Sequence, residues 1–300
     1  MDKEKIKLFV FADNMKDHRL QRFKEECDKR DMELKPINIY KAIVLNDKIL
    51  DENGERIDVE KNSIIWALSN LTTGHYIAKI LNHKGIKIWP DSGAVNFADK
   101  FFTNSFFSEI GIPTPRTVLV NSYHLDRIAE AVGGFPCVMK KNVSTVGKFV
   151  EIVNNEEEAK RFIKETFKKA QENILPMNRI RFLLQEFIEE SKGTDYRVLC
   201  IDGEVVGAIK RSAVEGFKSN VSLGGVASKF EVDEKLEKYA KKIMEKGNLF
   251  YAGIDFMKKG DDYLAIEVNT SAQFKGFEAA TGINVAGKII DELVEKRVNS

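Results

Sequence analysis

The stretch with the fewest folds open to it is Gly253-Ile254-Asp255-Phe256-Met257 followed by Leu264-Ala265-Ile266-Glu267-Val268-Asn269, with Lys259-Gly260-Asp261 between them. Strand side chains alternate faces, so Glu267 and Asn269 share one face while Leu264, Ile266 and Val268 take the other. Folding the two runs back about the turn sets Asp255 beside Glu267, with Ile254 and Phe256 joining the apolar side. Two carboxylates and an amide oxygen then converge on one patch. Such a pair needs a compensating cation, or one member must hold a proton. An all-oxygen set without His or Cys suits Mg²⁺, which binds through one or two carboxylates plus substrate phosphates. A half-exposed sheet with ordinary solvated polar positions gives the same alternation. The pattern alone leaves both readings open.

The rest of the chain supplies the setting for this hairpin. A length of 300 residues exceeds a typical single domain and favours two or three packed subdomains. Short apolar runs alternate with helical patterns in the first third. Ile6–Ala12, Ile37–Tyr40, Ile64–Leu68 and Ile86–Trp89 read as strands, with helices near His18–Arg30 and His75–His83 and a turn at Asn53-Gly54. That alternation predicts a parallel sheet covered by helices. A helix near Asn96–Ile110 stops at Gly111, Pro113 and Pro115. After it come a strand at Thr117–Val120, a helix at Leu125–Val132, and strands at Cys137–Lys140 and Phe149–Val153. A charged helix over Glu156–Gln171 follows, and its Asn154-Asn155-Glu156-Glu157-Glu158 start reads as a cap. From Arg181 strands dominate: Phe182–Ile188, then Tyr196–Ile201 and Val205–Ile209, joined through Asp202-Gly203 as a hairpin. Helices near Glu234–Lys246 and Asn284–Lys296 flank the hairpin of the opening paragraph. The texture changes place boundaries near residues 95 and 185, giving units 1–95, 96–185 and 186–300.

Charge and cysteine content exclude several classes. The 47 basic and 46 acidic residues leave a net charge of +1, which gives no general reason to bind nucleic acid or an anionic membrane. Cys27, Cys137 and Cys200 lie far apart with no CxxC pair, as expected for reduced, packed thiols. The N-terminal MDKEKIKLFVFADN has too short an apolar run for a signal peptide, and no segment is long enough to span a bilayer. The cytoplasm is the expected compartment.

Three further segments carry groups suited to anions. Phe135-Pro136-Cys137-Val138-Met139-Lys140 ends an apolar strand in a lysine, and the hydroxyl-rich Ser144-Thr145-Val146-Gly147-Lys148 follows. Backbone N–H groups of such a loop can cradle phosphate oxygens beside a lysine point charge, although these residues read alone favour an ordinary hairpin turn. Gln185-Glu186-Phe187-Ile188 leads into Gly193-Thr194-Asp195-Tyr196-Arg197 at a subdomain junction, a common place for a small-molecule cleft. Lys210 and Arg211 end another strand, and Lys218-Ser219-Asn220 follow. Taken singly, each of these reads as a surface charge.

In combination the segments resemble the ATP-grasp superfamily, and within it the RimK-like amino-acid ligases. The likeness is densest from Gln185 to Gly287, where QEFIEESKGTDYRV, GEVVGAIKR, FKSNVSLGG, AGIDFM, AIEVNTSAQFKGFEAATG and NVAGKII occur in the family's order, and it is looser in ADKFFTNSFFSEIGIPTPRT and GGFPCVMKK. The resemblance covers about two-thirds of the chain and implies an α/β (α+β) ATP-grasp fold. That fold has a Rossmann-like N-terminal domain, a small central subdomain and a C-terminal antiparallel-sheet subdomain. It implies Asp255, Glu267 and Asn269 as Mg²⁺ ligands (Mn²⁺ being an alternative ion), and Lys100 and Lys140 on ATP phosphates. Glu186, Phe187 and Ile188 would hold adenine through the backbone, and Asp195 would contact the nucleotide. Lys218, Ser219 and Asn220 would lie in a loop near it, and Arg211 would stabilise the transferring phosphoryl group.

The implied activity is ATP-dependent amide formation between a carboxylate and an amine through an acyl phosphate. The partners would be an amino acid and a peptide, protein-terminal or small-metabolite carboxylate, in a chain that the resemblance expects to be a homo-oligomer. A ligase acting on a coenzyme tail, and a non-catalytic nucleotide binder on the same fold, are the alternatives. The chain departs from the family in three places. The glycine-rich loop is reduced to Val143-Ser144-Thr145-Val146-Gly147. Ser222-Leu223 stand where RimK proteins carry His-Arg before Gly224-Gly225, and Ser212 replaces a second arginine.

Overall fold

The computed structural model describes residues 5–59, 63–67, 72–90, 93–120, 125–143, 149–172, 181–214 and 225–298. The first run of apolar residues forms β1 (Lys7–Ala12), buried along nearly its whole length, as a central strand of a covered parallel sheet must be. α1 (His18–Lys29) follows, then β2 (Glu33–Asn38), the hairpin β3 (Ile43–Leu45) and β4 (Lys48–Leu50), β5 (Ile64–Ala67) and α2 (Thr72–His83). β1 pairs parallel with β2 and β5, giving the order β2-β1-β5. One face of this sheet packs Phe9 and Phe11 against Ile77 and Leu81 of α2. The other packs Leu8, Val10 and Trp66 against Phe23 and the C-terminal helix residues Ile289 and Ile290.

Two expected strands are shifted or missing here. The strand read at Ile37–Tyr40 lies instead at Glu33–Asn38 and includes Pro36, which is tolerated because β2 is an edge strand. Ile86–Trp89 forms no strand and contributes one bridge, Trp66 to Trp89. The β3–β4 hairpin has no counterpart among the elements expected from the sequence.

The helix expected from Asn96 is interrupted. Ala94–Ala98 is a short 3-10 turn, Asp99 turns extended and accepts from Phe102 N, and α3 (Lys100–Glu109) begins after it. A four-stranded antiparallel sheet comes next, built from β6 (Thr117–Val120), β7 (Cys137–Lys141), β8 (Val150–Val153) and β9 (Phe182–Glu186) in the order β6-β9-β7-β8. α4 (Leu125–Ala131) and α5 (Glu156–Glu172) cover one face through Leu125, Ala129, Ala159 and Phe162 against Cys137, Met139, Phe182 and Leu184. The start of α5 is a cap as expected: Asn155 Oδ1 accepts from Glu158 N, and the Glu158 carboxylate returns to Asn154 N, both at 2.9 Å.

The C-terminal part is a five-stranded antiparallel sheet. Its strands are β10 (Thr194–Ile201), β11 (Glu204–Ser212), β12 (Val226–Phe230), β13 (Tyr251–Lys259) and β14 (Asp262–Asn269), in the order β12-β11-β10-β13-β14. β10 and β11 are joined through Asp202 and Gly203, both at positive φ (49° and 81°), the combination a two-residue hairpin turn requires. α6 (Glu234–Lys246) buries Leu236, Ala240, Ile243 and Met244 on one helical face against Val198, Cys200, Ile254 and Phe256. Full burial of a side chain such as Phe256 contributes about 1.5–3 kcal/mol. α7 (Lys275–Thr281) and α8 (Val285–Val298) complete the chain.

The opposite face of this sheet is divided along the strands. Leu199, Ile201, Ile209 and Tyr251 join the core shared with β1, α1 and α8. The other half of the same face carries the charged side chains described next.

Candidate active site

The predicted pairing of Asp255 with Glu267 is the observed one, and Gly253 lies opposite Asn269. Across the next interface Asp255 faces Arg197, and Asp195 faces Arg211 one strand further on. All of these side chains therefore stand on one face of β11, β10, β13 and β14. Arg197 donates to both oxygens of Asp255, Nε to Oδ1 at 2.7 Å and Nη2 to Oδ2 at 2.8 Å. Arg211 Nη2 lies 3.0 Å from Asp255 Oδ2, and its Nε donates to Asp195. Asn269 Nδ2 donates to Asp255 Oδ2 at 3.3 Å.

Burial alone would push the Asp255 carboxyl up, but the two guanidinium groups outweigh it and hold the group below the usual carboxylate range. Burial likewise opposes the charge on Arg211, and Asp255 with Asp195 keeps it firmly protonated. Gly253 makes room for this arrangement. A Cβ there would come within 2.8 Å of Ala272 Cβ and 3.3 Å of Arg197 Cδ.

Two lysines reach the same patch from other elements. Lys100, first residue of α3, sits 3.2 Å from Glu267 Oε1. Lys140 comes from β7 and donates to Gln185 Oε1 at 2.6 Å, while Gln185 Nε2 donates to Thr117 Oγ1 at 2.8 Å. Thr117 spends its own proton on Pro115 O, so it must accept from the amide, and the carbonyl end of Gln185 is thereby turned toward Lys140. Burial pushes the Lys140 ammonium down to about 8, and the nearby Lys100 adds to this while Glu267 and Asp255 resist it. Lys100, Lys140, Arg197 and Arg211 face Asp195, Asp255 and Glu267. Four cations to three anions leave the patch with a positive excess that suits a polyanionic ligand.

The segment expected to hold a flat base ends β9 and leads toward β10, connecting the two antiparallel sheets. Val138, Leu183, Ile188 and Leu264 are buried but stand outside the four apolar clusters found among the described residues. Phe187 is half-buried beside them in sequence. Glu186 has its carboxylate tied to Lys259 Nζ at 2.6 Å and Arg116 Nε at 3.2 Å. Burial works against its charge, and those two partners still bring its pKa below the ordinary value.

Leu264 corrects one expectation. A bulge between Asp255 and Phe256 pairs Asp255 with Glu267 but Phe256 with Ala265. The alternation is broken at Ile266, so Tyr263 and Ala265 join the α6 core and Leu264 moves to the face of Asp255.

Lys218, Ser219 and Asn220 lie outside the described residues, as do Ser144–Lys148, Ser222, Leu223 and Gly224. Ser212 ends β11 opposite Thr194 and Val226. Among the described residues no group of three or more His, Cys, Asp or Glu could hold a metal ion. An ion here would rest on Asp255, Glu267 and Asn269 with ligand oxygens completing its shell, a donor set that fits Mg²⁺. Sequence reasoning missed Arg197 and Gln185. The signal for Arg197 was its two-residue spacing from Asp195, which puts both on one strand face.

Comparison with known proteins bears on the family and the fold. The family model of the RimK-like ATP-grasp domain matches residues 97–293. A probable alpha-L-glutamate ligase of Legionella pneumophila (strain Corby) is 32% identical over 301 residues, covering 97% of this chain and 96% of that protein. One from Picosynechococcus is 28% identical over 296 residues, covering 96% and 95%. Among solved structures, the ATP-grasp ligase PsnB complexed with minimal precursor, Mg and ADP superposes with a TM-score of 0.70 at 18% identity, covering 97% of this chain and 98% of that one. D-alanine–D-alanine ligase from Bacillus anthracis complexed with ATP gives 0.69 at 17% identity, covering 99% and 98%. These two likenesses concern the fold.

Proposed function

This chain belongs to the RimK-like ATP-grasp family, and we propose that it joins a carboxylate to an amine in three stages. ATP binds between the two antiparallel sheets, its γ-phosphoryl group passes to the carboxylate, and the amine displaces phosphate. One observation carries the reading. Asp255, held by Arg197 and Arg211, lies opposite Glu267 where lysines from two other elements converge. The division into units 1–95, 96–185 and 186–300 belongs to the same reading, the cleft lying between the second and third.

Within it, Asp255, Glu267 and Asn269 would hold Mg²⁺, with Mn²⁺ as a substitute, and such an ion would supply charge neutralisation to the phosphates. Lys100 and Lys140 take the phosphate oxygens as point charges. Glu186, Phe187 and Ile188 offer backbone groups to adenine against the apolar walls of Leu183 and Leu264. Asp195 orients Arg211 and contacts the nucleotide, and the resemblance adds Lys218, Ser219 and Asn220 to the nucleotide-binding set. Arg211, fixed between two carboxylates, stabilises charge on the transferring group.

The covalent steps need no side-chain nucleophile. A carboxylate oxygen attacks the γ-phosphorus and the bond to ADP breaks. The amine nitrogen then attacks the acyl carbon, the bond to phosphate breaks, and the amine loses a proton to solvent. Positioning and charge neutralisation supply the catalysis.

The curated relatives named as probable alpha-L-glutamate ligases put glutamate first among the amines to try, and a peptide, protein terminus or small metabolite as the carboxylate. Three buried thiols and the use of ATP suit the cytoplasm. The test is to incubate the protein with ATP, Mg²⁺, pooled amino acids and candidate carboxylates, following ADP and product mass. Amine-dependent ADP release with a product lighter by one water than its two substrates is expected. Nucleotide binding with no ADP release across the whole panel would overturn the reading in favour of a non-catalytic nucleotide binder.

A further inference from the structure

Asn142 lies just past the end of β7, only 7% exposed, and spends its polar atoms on one joint. Its backbone oxygen accepts from Lys100 N at 3.3 Å, and its Oδ1 accepts from Phe101 N at 3.0 Å. Its Nδ2 donates to Asp99 Oδ2 at 2.6 Å, and its own N–H donates to Arg181 O at 2.8 Å. The first N–H groups of an α-helix have no partner within the helix. In α3 two of them are taken by Asn142, and the next, Phe102 N, by Asp99 Oδ1 at 2.8 Å. The start of α3 is therefore capped jointly by its own aspartate and by a side chain from a different sheet.

The position of that joint is what matters. Lys100 follows Asp99 directly, and Lys140 precedes Asn142 by two residues. α3 packs on β14, whose Glu267 faces Lys100, whereas Lys140 rides on the four-stranded sheet. The two lysines thus sit on different layers, Lys100 on a helix laid against β14 and Lys140 on the four-stranded sheet. We propose that Asn142 is a positioning residue for the ligase reaction, locking the first turn of α3 to the end of β7 so that Lys100 and Lys140 stay at a set separation. The inference rests on the reading that both lysines face the nucleotide phosphates.

An amide is required at residue 142 because Asp99 offers only acceptors. An aspartate there would set two carboxylates at hydrogen-bond distance, where one must take a proton or the pair must part. Exchanging the two side chains restores every contact. The amide moved to position 99 can still accept from Phe102 N and now donates across the joint. The carboxylate moved to position 142 accepts from that amide and from Phe101 N.

The test measures KM for ATP, kcat and melting temperature for Asn142→Asp, for the exchange that combines Asp99→Asn with Asn142→Asp, and for Lys140→Ala. Expected are a rise of about tenfold or more in KM for ATP in Asn142→Asp and a return to within about threefold of the parent in the exchange. A raised KM in Lys140→Ala with an unchanged KM in Asn142→Asp would overturn the proposal alone, even if the melting temperature fell. An unchanged KM in Lys140→Ala would overturn the nucleotide reading and the proposal with it. Failure of the exchange to restore KM, at a parent-like melting temperature, also counts against the pair. Should Asn142→Asp not fold, the exchange decides: a parent-like KM supports the lock, and a tenfold rise removes it.

Discussion

Arg197 meets Asp255 as a fork meets a fork, with Nε and Nη2 donating in parallel to Oδ1 and Oδ2 at 2.7 and 2.8 Å across directly paired positions of β10 and β13. Parallel donation of this kind fixes the plane of the carboxylate as well as its charge. Asp255 is thereby fixed toward β10 and β11 before any ligand arrives.

Arg197→Ala is expected to destabilise the fold. Removing one partner of a buried ion pair costs about 3–5 kcal/mol when the other is stranded, and Arg211 at 3.0 Å should hold the loss near the lower end. Arg197→Lys keeps the charge but not the fork, and should fall between. Urea unfolding of the three proteins checks the order; equal midpoints for all would remove Arg197 from the architecture of the site.

Glu267→Gln should abolish amine-dependent ADP release with little change in melting temperature, because Glu267 is partly exposed and its ion pair is with Lys100. Asp255→Asn should abolish it too, but with lost stability, since both guanidinium groups then face a neutral amide. Titrating Mg²⁺ at fixed ATP distinguishes a weakened ion site from a misfolded one. Undiminished turnover in both variants would sink the metal assignment.

Arg211→Ala is expected to lower kcat by about 10²–10³ while changing KM for ATP far less, as for a contact strongest in the transition state. Steady-state kinetics at saturating amine provide the measurement. A change confined to KM would make Arg211 a ground-state binding group instead.

The pH profile follows from Lys140. Its folded-state pKa is lowered, chiefly by burial, from 10.5 to about 8. In the free protein the cation is lost as pH rises through about 8, while the unfolded chain keeps its proton until near 10.5. The unfolded state binds more protons in that window, so this group makes stability rise with pH there. Affinity for ATP moves the other way, because the phosphate needs the cation. Thus kcat/KM for ATP should fall above about pH 8. Gln185→Leu removes an acceptor that favours the charged lysine, and should shift this fall to lower pH. An unshifted profile in Gln185→Leu would deny the amide that role.

Much of this was open to a reading of the chain. The 255/267/269 constellation followed from a period of two and one Gly-Asp turn, and its pairing register was right. The cap at Asn155 and the hairpin at Asp202-Gly203 were right for equally local reasons. The misses have two causes. The bulge that turns Leu264 inward breaks the alternation on which the reading depended. The strand misplaced at Ile37–Tyr40 and the bridge at Trp89 were settled by partners far away in the chain, which local apolar runs do not identify.

The sequence by itself determined the chemistry of the hairpin, the order of its flanking motifs and the family to which they belong. Strand alternation, turn residues and motif spacing are properties of neighbouring residues. Only the tertiary structure decided what surrounds the two carboxylates. Arg197 reaches Asp255 across 58 residues of chain, Lys100 reaches Glu267 across 167, and Asn142 joins Asp99 across 43. Such contacts depend on which strands lie side by side and how two sheets close on each other, and the burial of distant apolar faces fixes that arrangement.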